Sequence, residues 1–279
     1  MNLDAHQHFW KYNPHDYEWI SDAMPDLKKD FLPYDLAPLL QAKGFDGCIA
    51  VQARQTEKET DFLLELADNY DIIKAVIGWV DLQSAHLEAR LQYYRQFPVL
   101  KGFRHIVQDE PDDQFLLRKP FMDGIQSLGK LGFTYDILVY EKHLPIVLEF
   151  LKYFDNQLFV IDHIGKPNIK KPMNQRWKDM IYALAQYPNL YCKISGMVTE
   201  APWQRWTLDN FKPYLEVVFD AFGMERIMIG SDWPVCLLAA QNYSSVIEIV
   251  EDFTKEFSES EKRQIFGENA ARFYGIGIA

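Results

Sequence analysis

The sequence predicts a (β/α)8 barrel, that is, a TIM barrel with a long loop after strand one and short helices at its carboxyl end. Three observations carry the prediction. Eight short β-rich runs recur along 279 residues, a stretch with helical apolar spacing follows each, and the runs are apolar throughout rather than alternating in polarity. Continuous apolar strands separated by helices describe a parallel sheet covered by helices, and eight such units close into a barrel.

The first run is "NLDAH". The connection behind it is the longest in the chain and carries Phe9, Trp10, Tyr12, Tyr17, Trp19, Phe31 and Tyr34. It reads either as a lid or as a satellite hydrophobic cluster under a long loop. The helical stretch "LLQAKG" stops at Gly44, and "GCIAVQ" is the second run. Phe62, Leu63, Leu66, Ala67 and Tyr70 then mark one helical face, with Thr56 and Glu59 expected as its capping box. "IIKAVIGWV" is third, and its helix ends in "YYRQFP" at Pro98. "LKGFRHIV" and "GFTYDIL" are fourth and fifth, the latter followed by Leu144, Val147, Leu148 and Leu151 at helical spacing. "LFVIDHIG" precedes a helix stopping in "LAQYP" at Pro188, "LYCKISG" precedes one stopping in "FDAFG" at Gly223, and "RIMIGSD" is the eighth run. In the tail, "SESEKRQIFGENAARFYG" reads as two short helices, the first capped by Ser258 with Glu261. No repeat, linker or low-complexity tract divides the chain, so residues 1–279 are read as one domain. The runner-up, an open doubly wound sheet, requires a glycine-rich phosphate turn after strand one, and "DAHQHF" has no glycine.

With 48% hydrophobic and 15% aromatic residues the chain can bury a large core. Its net charge of −11 argues against nucleic-acid and anionic-membrane partners, which require clustered Lys and Arg. No apolar run reaches the length of a membrane span, and strand-like residues begin at Asn2 without room for a signal sequence, so a cytoplasmic location is expected. Cys48, Cys192 and Cys236 are too scattered for a disulfide framework and read as reduced, buried fillers.

In a barrel of this kind, chemistry gathers at the carboxyl ends of the strands. Polar, reactive residues occur there in seven of the eight runs: His6 and His8; Gln52 and Arg54; Arg104 and His105; Tyr135 and Asp136; Asp162 and His163; Lys193 and Ser195; Ser231 and Asp232. Ionisable groups are seldom buried without a role or a partner, so the accumulation points to a site. The spacing of His6 and His8 aims both rings to one face of a strand.

The motifs "DAHQHFW", "KGFRHIVQDEPDD", "FVIDHIGKP", "NLYCKISGM" and "IMIGSDWPVC" resemble, over the whole chain, the amidohydrolase superfamily of the amidohydrolase 2 type. The resemblance is specifically to its metal-sparing branch of sugar-lactone hydrolases, such as L-fuconolactonase and L-rhamnonolactonase. It implies a barrel that opens a sugar-acid lactone with water. Within the family pattern the His-x-His pair maps on His6 and His8, the strand-six histidine on His163, and the strand-eight aspartate on Asp232. The sequence departs from members with an obligatory metal, which carry a lysine or histidine ligand on strand five where this chain has "TYDIL". His6, His8 and Asp232 suit a zinc ion, yet metal-independent hydrolysis is the favoured expectation, with zinc optional.

Lactone hydrolysis needs a base for water, positive character at the carbonyl oxygen, and a proton for the departing alkoxide. Asp232 is assigned as the base, with its carboxyl expected to be raised by desolvation. His6, His8 and His163 polarise the carbonyl. Arg104, Arg54, Gln52 and Lys193 are assigned to substrate binding, and Trp10, Trp79 and Trp233 to stacking on a sugar face. The structural alternatives are that Arg104 pairs with Asp81 or Asp136, that Lys193 forms a barrel ion pair, and that the tryptophans are core. His105 is read as supporting rather than reacting. "GIQSLGKL" lacks the Ser or Thr of a P-loop and lies within a helix, and no G-x-S-x-G elbow occurs. A zinc-dependent decarboxylase or another metal-dependent hydrolase of the family is the alternative enzyme, and a barrel that merely binds a sugar acid is the third reading.

Overall fold

The computed structural model describes residues 1–277. Eight parallel strands lie in one sheet in sequential order: β1 (Leu3–Gln7), β2 (Gly47–Val51), β3 (Ile73–Gly78), β4 (Leu100–Ile106), β5 (Thr134–Leu138), β6 (Phe159–Ile161), β7 (Leu190–Ile194) and β8 (Ile227–Ile229). The crossovers are α1 (Pro33–Ala42), α2 (Glu57–Asn69), α3 (Leu87–Tyr94), α4 (Lys119–Lys130), α5 (Leu144–Leu151), α6 (Gln175–Leu184), the one-turn α7 (Met197–Glu200), α8 (Leu208–Phe222) and α9 (Tyr243–Phe253). The chain continues through α10 (Glu259–Arg263) and α11 (Asn269–Phe273). The expected (β/α)8 order is therefore borne out, and the strands are shorter than their apolar runs because the last residues of each turn into the loops that build the site.

Outward strand residues such as Ala50, Val76, Phe103, Ile137, Phe159 and Ile194 pack against the helices in one large cluster. Leu3, Ala5, Ile49, Ala75, Val160 and Met228 form a second cluster with Ala270, Phe273 and Tyr274, so α11 plugs the floor of the barrel. The apolar floor confines water and chemistry to the opposite end.

The seam between β1 and β8 closes through backbone bonds, from His8 N to Trp233 O at 2.7 Å and from Asp232 N to His6 O at 2.8 Å. Buried Asp4 fastens the same seam, accepting from Ser231 N at 2.9 Å and from the Tyr243 hydroxyl at 3.1 Å. The register of β1 against β2 shifts between Asp4 and Gln7. One extra residue there acts as a bulge, a device that re-aims side chains beside functional sites. Asp4 thus points to the helices, whereas His6 and His8 point into the barrel.

Ser258 and Glu261 form the expected capping box. Thr56 caps α2 by accepting from Lys58 N, but Glu59 does not return the bond. Its buried carboxylate instead accepts from the backbone of Ala53 and Arg54, from Arg54 Nε at 2.9 Å and from the Tyr17 hydroxyl at 3.1 Å. The four donors of the β2 loop and the long β1 loop outcompete the single backbone donor of a box. The long loop is in part the satellite cluster, with Trp10 packed on Tyr17, Trp19 and Phe31.

Candidate active site

The bulge in β1 sets His6 and His8 edge to face with centroids 5.0 Å apart, and His163 tilts against His6 at 4.5 Å. Asp232 completes the group, its Oδ1 3.3 Å from His8 Nε2 and 3.8 Å from His6 Nε2. All four are buried. His8, His163, Asp232 and Arg104 line a cavity of about 320 Å³ at the carboxyl ends of the strands, and His6 lies behind them. The sequence-predicted reacting residues are therefore brought together.

Backbone strain holds two of them. His163, Ile164, Gly165 and Lys166 all have positive φ (56°, 50°, 73° and 48°), and so does Asp232 at 58°. Non-glycine residues rarely adopt this left-handed region, and such conformations persist where the surrounding structure over-determines them. The imidazole of His163 packs onto Gly196, where a Cβ would lie 2.4 Å from Nδ1, and its Nδ1 is 2.8 Å from Ser195 Oγ. The backbone of Gly230 passes His6 closely enough that a Cβ would be 2.5 Å from the His6 Cβ. Gly196→Ala should therefore lower turnover about ten- to a hundredfold, because roughly 1 Å of misplacement suffices for such losses. Steady-state kinetics beside a melting curve check this, the latter showing a cost of only about 1–3 kcal/mol.

Beneath the imidazoles lies a charged network. Arg104 Nη1 contacts Asp162 at 3.0 Å and His6 Nε2 at 3.2 Å, while Nη2 donates to the Gln52 backbone and to Gln52 Oε1. Lys193 Nζ pairs with Asp136 at 2.5 Å and Asp162 at 3.2 Å and approaches His6 Nδ1 at 3.3 Å. Asp162 Oδ1 lies 3.4 Å from the same Nδ1. Burial, aided by the Lys193 and Arg104 charges, holds His6 well below its usual range, so the ring is neutral. Burial likewise holds His163 well below.

Burial alone would raise Asp232, but His163, the His8 hydrogen bond and Lys166 outweigh it and hold the carboxyl below its ordinary value. The expected upward shift is thus corrected: the carboxylate stays charged because the cavity wall supplies positive and donor groups.

The substrate-binding assignments divide. Arg104 lines the cavity and keeps a buried Nε–H without a partner among the described residues. Its partner is Asp162, neither Asp81 nor Asp136. Lys193 is wholly buried below the histidines and forms a barrel ion pair, so it is not placed to touch substrate. Gln52 is spent on Arg104. Arg54 turns away to Glu59 and Asp16 and stacks on Tyr17. Trp10 and Trp233 are core, and Trp79 donates to His105 Nδ1 at 3.3 Å. None of the three lines the cavity, because each sits beyond its strand end on the side facing the helices or the long loop. The aromatic walls are instead Trp19, whose Nε1 is buried without a partner among the described residues, and half-exposed Trp203. Trp203 follows α7, and only its exposure on a loop above the site marks it. His105 pairs with Glu110 at 2.7 Å, outside the cavity, as a supporting residue.

The amidohydrolase family model matches residues 3–276. The chain belongs to the amidohydrolase family. It is 41% identical to the L-fucono-1,5-lactonase of Burkholderia multivorans, over 99% of this chain and 96% of that one. It is 35% identical to the L-fucono-1,5-lactonase of Burkholderia ambifaria, over the same shares. A crystal structure of an amidohydrolase from Burkholderia multivorans with bound zinc superposes with a TM-score of 0.95 at 41% identity, covering 99% of this chain and 100% of that one. The family resemblance carried by the sequence motifs is borne out.

The amidohydrolase site of this chain fits a zinc ion. His6, His8 and Asp232 each offer a ligand atom, all within 4.8 Å of one another, and nitrogen and carboxylate donors suit zinc. His8 Nδ1 lies 2.8 Å from the carbonyl of Val51, which fixes its proton on Nδ1. Its Nε2 then turns toward Asp232 Oδ1, 3.3 Å away, on the side where a zinc ion would sit. No helix is long and apolar enough to cross a membrane among the described residues.

Proposed function

We propose that this protein hydrolyses a sugar-acid lactone, of the L-fucono-1,5-lactone class, to the aldonic acid. The observation that carries the reading is the convergence of the His8 and His163 imidazoles and one charged carboxylate on a cavity walled by two tryptophans, with the His6 ring packed directly behind them. Identity to two proteins named for that lactonase activity supports it.

Asp232 accepts a proton from water as the water oxygen bonds to the lactone carbonyl carbon. Ser195 Oγ lies 2.8 Å from His163 Nδ1; in the tautomer in which the hydroxyl donates to Nδ1, the neutral ring carries its proton on Nε2 and offers it to the developing oxyanion. On collapse the bond between carbonyl carbon and ring oxygen breaks. Asp232 returns its proton to that oxygen, leaving a hydroxyl and a carboxylic acid that ionises. When zinc is bound, His6, His8 and Asp232 hold it, and it supplies Lewis-acid charge to the carbonyl oxygen.

The ion is dispensable in this reading, because Arg104 already brings a positive charge to 3.2 Å from His6 Nε2. Acid release from a panel of aldonolactones, followed in a pH-stat with and without chelator, is expected to persist under chelation. Loss on chelation with rescue by zinc would overturn metal independence and favour a metal-dependent hydrolase. No acid release from any sugar lactone would overturn the lactonase reading itself.

A further inference from the structure

The wall of the cavity contains two charged side chains that take no part in the bond-making steps, although Lys166 is near enough to Asp232 to favour its charged form. Lys166 and Glu200 both line the cavity, their side chains 15% and 23% exposed. The ammonium lies 4.0 Å from Glu200 Oε1, beyond hydrogen-bond distance, and 5.3 Å from the centre of the Tyr140 ring. Among the described residues neither side chain makes a hydrogen bond. By contrast, Nη1 and Nη2 of Arg104 are committed to Asp162, His6 and Gln52. The wall therefore holds an ammonium with three donors and a carboxylate with its lone pairs, separated by about the span that one hydroxyl oxygen bridges.

Position reinforces the point. Lys166 stands in the same left-handed turn as His163, at φ 48°. A non-glycine residue in that conformation is costly, and no fixed hydrogen bond of its side chain repays it. Glu200 ends α7, the one-turn helix that follows Gly196, the residue against which His163 packs. The two charges are thus held by the same loops that hold His163.

We infer that Lys166 and Glu200 are specificity-determining residues that together read a hydroxyl group of the substrate ring, Lys166 donating to its oxygen and Glu200 accepting its proton. The inference rests on the lactonase reading and adds to it the basis on which this chain chooses among lactones. A site built to pair a hydroxyl rejects analogues that lack it, because its polar groups are then left unmatched.

The test compares L-fucono-1,5-lactone with analogues each lacking one ring hydroxyl, in the wild type, Lys166→Met, Lys166→Arg and Glu200→Gln. In the wild type one analogue is expected to lose roughly ten- to a hundredfold in kcat/KM, the range for a hydrogen bond to a charged group. In Lys166→Met and Glu200→Gln the full substrate falls toward that analogue's value, mainly through KM, while the analogue itself changes little; Lys166→Arg recovers part of the preference. Wild-type turnover with the same preference retained in both variants would overturn the inference and leave the lactonase reading standing. Equal losses for every lactone, arising in kcat, would also overturn it, by assigning the pair a merely structural role. Absence of turnover in the wild type would instead strike the lactonase reading.

Discussion

Asp232→Asn is expected to reduce kcat for lactone hydrolysis by about 10²- to 10⁴-fold, the range for loss of a positioned general base. The amide keeps the shape of the side chain and can still meet His8 Nε2, now as a donor to its lone pair, so the melting temperature should change little. The loss should fall on kcat and kcat/KM alike, since the interaction removed is made in the transition state. A variant that releases acid at the wild-type rate would remove Asp232 from its role. The structure sharpens this prediction. With the carboxyl held below its ordinary range, the base is already charged well below neutral pH and rate loss toward acid should begin late.

Lys193→Met should be the most destabilising single substitution in the barrel interior. The ammonium is fully buried and bridges Asp136 and Asp162, and removing one partner of a buried ion pair typically costs about 3–5 kcal/mol. For a chain of this size that corresponds to a melting temperature lower by roughly 5–9 °C. The penalty has a definite dependence on pH. Burial raises Asp136 to about 6 even with Lys193 and the Tyr274 hydroxyl pulling it down. Without the ammonium, burial acts with less opposition and the carboxyl rises further. A folded-state value raised above the unfolded one means that stability is lost as pH rises between them. The difference between wild type and variant should therefore grow as pH rises above about 6, where the wild-type carboxyl has already ionised, and adding Asp136→Asn should recover part of it. Urea denaturation at several pH values measures both effects. A penalty that shrinks with rising pH would show that Asp136 is not the group left unpaired.

The barrel was legible because its cause is local. Each strand is a short apolar run and each helix a periodic one, and the eightfold alternation leaves few ways to arrange them. The clustering of the candidate site residues was legible for a related reason: strand ends converge in this fold, so His6, His8, His163 and Asp232 could be placed together without knowing any loop. The bulge in β1 could not be read, although the His-x-His spacing places both rings on one face with or without it. What failed was partner choice. Glu59 sits where a capping box wants it, yet four donors from two loops capture it. Lys193 and Gln52 end their strands as substrate ligands would, but each meets an opposite or complementary group across the barrel that sequence spacing does not record. The tryptophans show the same limit. Trp10 and Trp233 stand next to reacting segments along the chain and turn away from the cavity, whereas Trp19 and Trp203 reach it from loops whose course depends on tertiary packing.

The seam between the first and last strands has a consequence for synthesis. His8 and Asp232 are separated by 224 positions, so a ribosome delivers one half of the proposed catalytic pair long before the other. No fragment ending short of the eighth strand can bring the imidazoles and Asp232 together, because they meet only across the β1–β8 seam.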